Sequence, residues 1–271
     1  MKRRSALPGI YMGAILTLMY LPIVLVIIYS FNESKTSSVW TGATWDWYIQ
    51  LFKDGSMISA LKNSVVLALA SSVSAAFIGT LGAVGMSKAK LRGASAMEYI
   101  STLPIMLPEI ILGMVFLAFF SLIRLPFGML TLIISHTSFS IPYVLLLVKA
   151  RLSGMDKSYE EAARDLGASE LQAFLTVTLP LVAPAIVSGM LLAIAMSFDD
   201  VIISVFVTGV NTNTLPIKIY TQIKTGVTPK TNALCALLFL ATVFLAILSS
   251  WLGKSKKSEM PPIEIIPSQS H

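Results

Sequence analysis

Six long apolar runs alternate with shorter polar stretches along the 271-residue chain. They cover about 9–31, 60–86, 99–123, 129–148, 184–207 and 233–252. Each approaches or exceeds the ~20 residues a helix needs to cross the hydrocarbon layer of a bilayer. The pattern predicts an all-α integral membrane protein with six transmembrane helices. The second run carries Ser71, Ser72, Ser74, Ala75, Ala76, Gly79 and Gly82, small side chains that let a neighbouring helix approach closely. The third is read as one continuous span with Pro104 and Pro108 inside it. The polar loop at 32–59 holds Trp40, Trp45, Trp47 and Tyr48, ring types that favour a membrane–water interface.

One long polar stretch departs from this rhythm, between the fourth and fifth runs. Ser158 lies three residues before Glu161, a capping-box spacing that predicts a helix start. Gly167 is placed to end that helix, because glycine enters the left-handed region at little cost. Ser169 and Gln172 repeat the capping spacing, and Leu171, Phe174 and Leu175 give the second helix an apolar side. Leu179-Pro180 and Pro184 are expected to break the chain before the next run. Two short helices joined at Gly167 are predicted. By pattern alone they would be an amphipathic loop on the membrane surface.

Composition agrees with a membrane protein. The chain is 55% hydrophobic and 13% charged, against about 25% charged in soluble domains, and its mean hydropathy is +0.77. A net charge of +6 would fit nucleic acid. The basic residues flank the apolar runs instead, as topology signals do, and no nucleic-acid partner is expected. With six spans both termini share a side, and that side holds 13 of the 20 Lys and Arg. The excess marks it as cytoplasmic and puts the 159–180 loop there too. The basic start followed by a long apolar run reads as a retained anchor helix, and the last dozen residues as a loose tail. The lone Cys235 excludes an intrachain disulfide. No G-x-x-x-x-G-K-[S/T] run is present, so energy from ATP would come through a partner. No internal repeat, metal-ligand spacing or nucleophile–base set is visible.

Three carboxylates fall within the apolar runs: Glu109, Asp199 and Asp200. A charge at the bilayer centre costs ~2.5–3.5 kcal/mol on insertion scales. Such groups face a protein interior or a watery path. Glu109 is expected near mid-depth, and the Asp pair in the outer half. The lining is acidic without deep Lys or Arg, which favours a cationic solute, with Phe198 and Tyr220 as candidate aromatic faces. The simpler readings are a structural acid for Glu109, an interfacial helix end for the Asp pair and a satisfied packing residue for His136.

Glu161-Ala162-Ala163, Gly167 and Val177-x-Leu179-Pro180 resemble the EAA loop of permease subunits of bacterial ABC importers. Together with Ser197-Phe198-Asp199-Asp200, Gly226-Val227-Thr228-Pro229 and Asn232-Ala233 they look like the polyamine branch, the spermidine/putrescine permeases of the second type. Relatives often carry an acid where Lys230 stands here. The resemblance implies the type I ABC importer permease (MetI-like) fold. It implies a transmembrane domain over 9–253 with a coupling loop at 151–183, flanked by cytoplasmic segments 1–8 and 254–271, in the bacterial inner membrane. Glu160, Glu161, Ala162, Ala163, Asp165, Gly167, Ala168, Leu179 and Pro180 would then meet an ATPase subunit, and Glu109, Phe198, Asp199 and Asp200 would line half of a polyamine path. The implied partners are a second, related permease, two ATPase subunits that bind ATP and Mg, an extracytoplasmic binding protein and membrane lipid. This chain would bind no cofactor itself. The open alternatives are a permease for another organic cation or small solute, and an ATP-independent channel or proton-coupled carrier using Glu109 and Asp199.

Overall fold

The computed structural model describes residues 7–35, 39–88, 94–156 and 158–255, and every named element among them is helical. In chain order these are α1 (Leu7–Tyr29), α2 (Asp46–Lys53), α3 (Gly55–Lys88), α4 (Ala94–Met106), α5 (Glu109–Leu122), α6 (Met129–Ser153), α7 (Ser158–Asp165) and α8 (Glu170–Ala173). A π-helical turn (Phe174–Thr178), α9 (Leu179–Asp199), α10 (Ile202–Val207), α11 (Leu215–Thr225) and α12 (Pro229–Ser255) follow.

Four stretches of the described residues are long and apolar enough to cross a membrane: Gly9–Tyr29, Gly55–Ser87, Met129–Ser153 and Glu170–Asp199. A fifth candidate is the α4–α5 pair, bent by 108°. The apolar part of α12, Pro229–Phe244, is shorter than the other candidates. Four or five spans among the described residues thus stand where six were expected, the sixth being only this shorter stretch, and two of the others need correction. The third is not one rod. Pro108 lacks an N–H to continue the helix and disfavours helical geometry at Leu107, so α4 ends at Met106 and α5 restarts at Glu109. The fifth neither begins at Pro184 nor reaches Val207. It runs from Glu170 through Pro180 and Pro184 and stops at Asp199. The prolines do not break it because the π turn widens the backbone just ahead of Pro180, where Leu179 N–H reaches back five residues to Phe174 O.

The chain divides into two compact units, one from Met1–Lys53 with Thr225–His271 and the other Asp54–Lys224. In the first, α1 and α2 each pack on α12. The expected aromatic belt is partly a cluster: Phe31 meets Trp45 at 4.8 Å and Tyr48 at 5.2 Å between ring centroids. Trp47 Nε1 donates to Asn32 O at 2.7 Å.

In the second unit α3, α6 and α9 form the densest contact. Glycine makes it possible. A Cβ on Gly79 would lie 2.9 Å from Val144 Cβ and 3.1 Å from Ile141 O, and one on Gly189 would lie 3.0 Å from Val144 Cα. Two helices thus close on Val144 from α6, with Ala75, Ala83, Leu145 and Val148 filling the same core. A second core, including Leu67, Leu112, Phe120, Leu132, Ile203 and Val207, joins α5 and α10 to α3 and α6.

Candidate functional site

Two breaks in apolar helices meet α6 around a cavity of about 530 Å³. The α4–α5 elbow contributes Pro104, Leu107, Pro108 and Glu109. α6 contributes Phe139 and Tyr143, and the end of α9 contributes Met196 and Asp199, followed by Asp200. Glu109 is exposed in the first turn of α5, where the positive end of the helix favours a carboxylate. Asp199 is exposed as the last residue of α9. No Lys or Arg is among the residues lining this space.

The second break has a clear local cause. Asp200 is extended at ψ 123°, and its carboxylate turns forward to cap the helix that follows. It accepts Ile203 N–H at 3.1 Å, Ser204 N–H at 2.8 Å and Ser204 Oγ–H at 2.7 Å. These bonds satisfy amides that open α10, a role for which Asp is among the best side chains. Only 6% of the Asp200 side chain is exposed.

Behind this cap lies His136, fully buried on α6. Its Nδ1 sits 2.8 Å from Ser197 Oγ on α9, and its Nε2 sits 3.0 Å from Ser204 Oγ on α10 and 3.4 Å from Asp200 Oδ2. Ser204 gives its one hydroxyl proton to Asp200, so its oxygen is free to accept from Nε2–H. Bonds through the imidazole thus link Ser197 on α9 to Ser204 on α10 and, through the Ser204 hydroxyl, to Asp200.

The structure brings Glu109, Asp199 and Asp200, expected at different depths, onto one cavity. Phe198 does not join them: it is half-buried and is not among the lining residues, whereas Phe139 and Tyr143 are. Successive helical residues point about 100° apart, and at this helix end Asp199 rather than Phe198 faces the cavity. Glu109 is not midway along a continuous span but starts a new helix. Tyr220 presents its ring to Lys224, whose Nζ lies 4.7 Å from the centroid. His136 is the satisfied packing residue expected of it, but its link to Asp200 was not legible. Its serine partners are 61 and 68 residues away in sequence. The one sequence signal for the elbow was Leu107-Pro108.

Of the two short helices expected in the polar segment, α7 stands alone, whereas α8 is the first turn of a continuous run that passes through the π turn into α9. α7 buries none of its residues. Its expected Ser158 cap is replaced: Ser158 N–H donates at 2.9 Å to the Asp156 carboxylate, and that bond holds Asp156 below the usual carboxylate range. A carboxylate accepts more strongly than a hydroxyl, which decides the start. The helix ends in a Schellman motif: Ala168 N–H bonds Ala163 O, Gly167 N–H bonds Arg164 O, and Gly167 takes φ +91°. Ser169 and Gln172 form the expected capping box, at 3.3 and 2.8 Å. Buried Thr178 donates to Glu160 at 3.3 Å, tying α7 to the π turn. Beneath the segment, Glu160, Glu161, Arg164, Glu170 and Thr178 help line a cavity of about 280 Å³. Ala162, Asp165 and Pro180 are exposed, Ala163, Ala168 and Leu179 half-buried. Leu166 is 91% exposed and Leu171 66%, a large apolar surface for so polar a stretch.

Residues 75–255 match the family described as binding-protein-dependent transport system inner membrane component. The spermidine/putrescine transport system permease protein PotC of Haemophilus influenzae is 36% identical over 251 residues, 93% of this chain and 98% of that one. The putrescine transport system permease protein PotI of Escherichia coli is 36% identical over 256 residues, 92% of this chain and 91% of that one. Among solved structures, a chain of a bacterial ABC transporter involved in the import of the acidic polysaccharide alginate has a TM-score of 0.71. The match covers 94% of this chain and 98% of that chain at 16% identity, so it shows the fold alone. The described residues carry the helices of a multi-pass membrane protein, and the chain belongs to the binding-protein-dependent transport system inner membrane component family, the permeases of ABC importers.

Proposed function

We propose that the chain is a permease subunit of an ATP-driven polyamine importer and forms half of its translocation path. The observation that carries this is the clustering of Glu109, Asp199 and Asp200 on one cavity whose lining holds no cation. A polyamine is a string of hydrated ammonium groups. Moving it requires fixed anions that replace part of its water without holding it for long. The relatives named for spermidine and putrescine support the same solute class. The fold by itself does not, since a chain of an alginate importer shares it.

In this reading Glu109 and Asp199 face the solute, with Phe139 and Tyr143 supplying apolar and aromatic walls in place of Phe198. The segment at 151–183 couples to an ATPase subunit through Glu160, Glu161, Ala162, Ala163, Asp165, Gly167 and Ala168, with Leu179 and Pro180 supporting its return. The exposed Leu166 and Leu171 suit a protein partner better than water. The complex would hold a second, related permease, two ATPase subunits and an extracytoplasmic binding protein. ATP and Mg are bound by the ATPase, since this sequence carries no phosphate-binding loop of that kind. The positive-inside excess orients both termini and the coupling segment to the cytoplasm. The test is uptake of radiolabelled spermidine and putrescine by vesicles containing the assembled complex. ATP-dependent uptake of either is expected. Its absence, or equal uptake without ATP, overturns the reading.

A further inference from the structure

Among the described residues of the second unit His136 is the largest fully buried polar side chain, and neither the solute path nor the coupling segment accounts for it. It stands on α6 and holds α9 through Ser197 and α10 through Ser204. Between those two serines the helix is interrupted at Asp200 and Val201. The imidazole therefore bridges both sides of a break in an apolar segment, where unpaired backbone groups and a loose carboxylate would be costly. The chain of bonds ends on Asp200, which already accepts three donors from the first turn of α10. With nearly every lone pair engaged, Asp200 is spent on holding the break. Asp199, exposed one residue earlier, and Glu109 across the cavity are left to meet solvent.

We propose that His136 is a positioning residue for transport: through Ser197 and Ser204 it locks the α9–α10 break, commits Asp200 to structure and thereby sets Asp199 and Glu109 as the carboxylates offered to the solute. Removing the ring does not remove a solute contact. It lets α10, with the Asp200 carboxylate that caps it, separate from α9, so Asp199 loses its fixed place. Weaker and less ordered capture should appear in KM before it appears in the maximal rate. This deepens the polyamine reading and rests on it for the identity of the solute.

The test uses the assembled complex in a Cys235→Ser background, with Ile203→Cys as a reporter. Ile203 is 2% exposed on the first turn of α10, so a small hydrophilic thiol reagent should reach it slowly while the break is locked. His136→Ala is expected to raise the modification rate by about tenfold, as local opening becomes easier. His136→Gln, whose amide can both donate and accept, should restore protection. Without the reporter, His136→Ala should raise the spermidine KM by about fivefold with the maximal rate within about twofold, and His136→Gln should recover most of that loss. Ser204→Ala removes the two bonds of its hydroxyl, to His136 and to Asp200, without opening a large void. It should move both readouts in the same direction, and it decides the matter if His136→Ala fails to assemble. Unchanged thiol rates overturn the proposal. So does a His136→Gln variant that behaves like His136→Ala, because ring volume rather than hydrogen bonding would then hold the break. Faster labelling with an unchanged KM would also overturn it as a device for transport. If the unsubstituted complex carries no polyamine, the solute reading falls by itself, and the thiol rates still decide whether His136 locks the break.

Discussion

The polar segment from Ser158 to Thr178 and the acidic cavity are built in opposite ways. In the segment, each decisive contact spans a few residues: Asp156 to Ser158, Ala168 to Ala163, Ser169 to Gln172. It buries little and would keep its shape if much of its surroundings changed. The cavity is assembled from distant parts, apart from the local cap at Asp200. Its carboxylates come from α5 and from the end of α9 with the residue after it, its aromatic wall from α6, and the bonds of His136 behind it cross more than 60 residues of sequence. A surface that must be read by another protein can be written locally. A set of charges within an apolar protein must be held from several directions at once, because each costs free energy unless neighbours satisfy it.

Breaking the local half should have the largest effect. Gly167 has open space around it but sits at φ +91°, so the obstacle to a side chain is conformational. Gly167→Val forces a β-branched residue into the left-handed region, at ~1–2 kcal/mol or more. Gly167→Pro additionally deletes the N–H bonded to Arg164 O. Both variants should insert and assemble yet lose about tenfold or more of ATP-driven uptake, because the turn between α7 and α8 no longer forms. Normal uptake in Gly167→Val would show that this turn is not needed for coupling.

The next largest effect concerns the scaffold under both regions. Gly79→Leu places atoms where Ile141 O and Val144 already sit, so α3 and α6 must separate. Leu67→Ala only leaves a void at a fully buried site, a change worth about 2–5 kcal/mol in a water-soluble core. In lipid the transfer part of that cost shrinks, because lipid is as apolar as leucine. Purified yield of assembled complex should fall further for Gly79→Leu than for Leu67→Ala. Equal yields would mean the helices part easily.

Removing charge from the cavity comes third. Asp199→Asn and Glu109→Gln keep size and lose the charge. Each should slow spermidine uptake by about fivefold while assembly is unchanged, the loss of one favourable charge contact. Wild-type rates in both would make these acids structural. The smallest effect is expected at the second cap. Ser169→Ala removes the acceptor for Gln172 N–H and should cost about 1 kcal/mol of local helix stability. Faster hydrogen exchange over 170–175 with uptake reduced about twofold or less is the expected result. A collapse of uptake as large as for Gly167→Val would mean that the two short helices act as one rigid piece.

The sequence by itself determined the class of protein, the number of long apolar runs, the turn at Gly167 and the Ser169 cap. Each is a property of composition or of contacts within five residues, where the covalent chain keeps the partners close whatever else happens. It also singled out Glu109, Asp199 and Asp200, because a charge in an apolar run is conspicuous wherever it later comes to rest. Only the tertiary structure decided that Pro180 and Pro184 are carried through on a π turn while Pro108 makes a 108° elbow. Both outcomes hang on how neighbouring backbone is accommodated, not on the proline alone. Asp200 is spent on a helix start by bonds to residues three and four positions ahead, while the adjacent and chemically identical Asp199 is not. Only the packing of α6 against α9 and α10 decided that a histidine the sequence places 64 positions away from Asp200 lies 3.4 Å from it, because that contact depends on how separate helices come together.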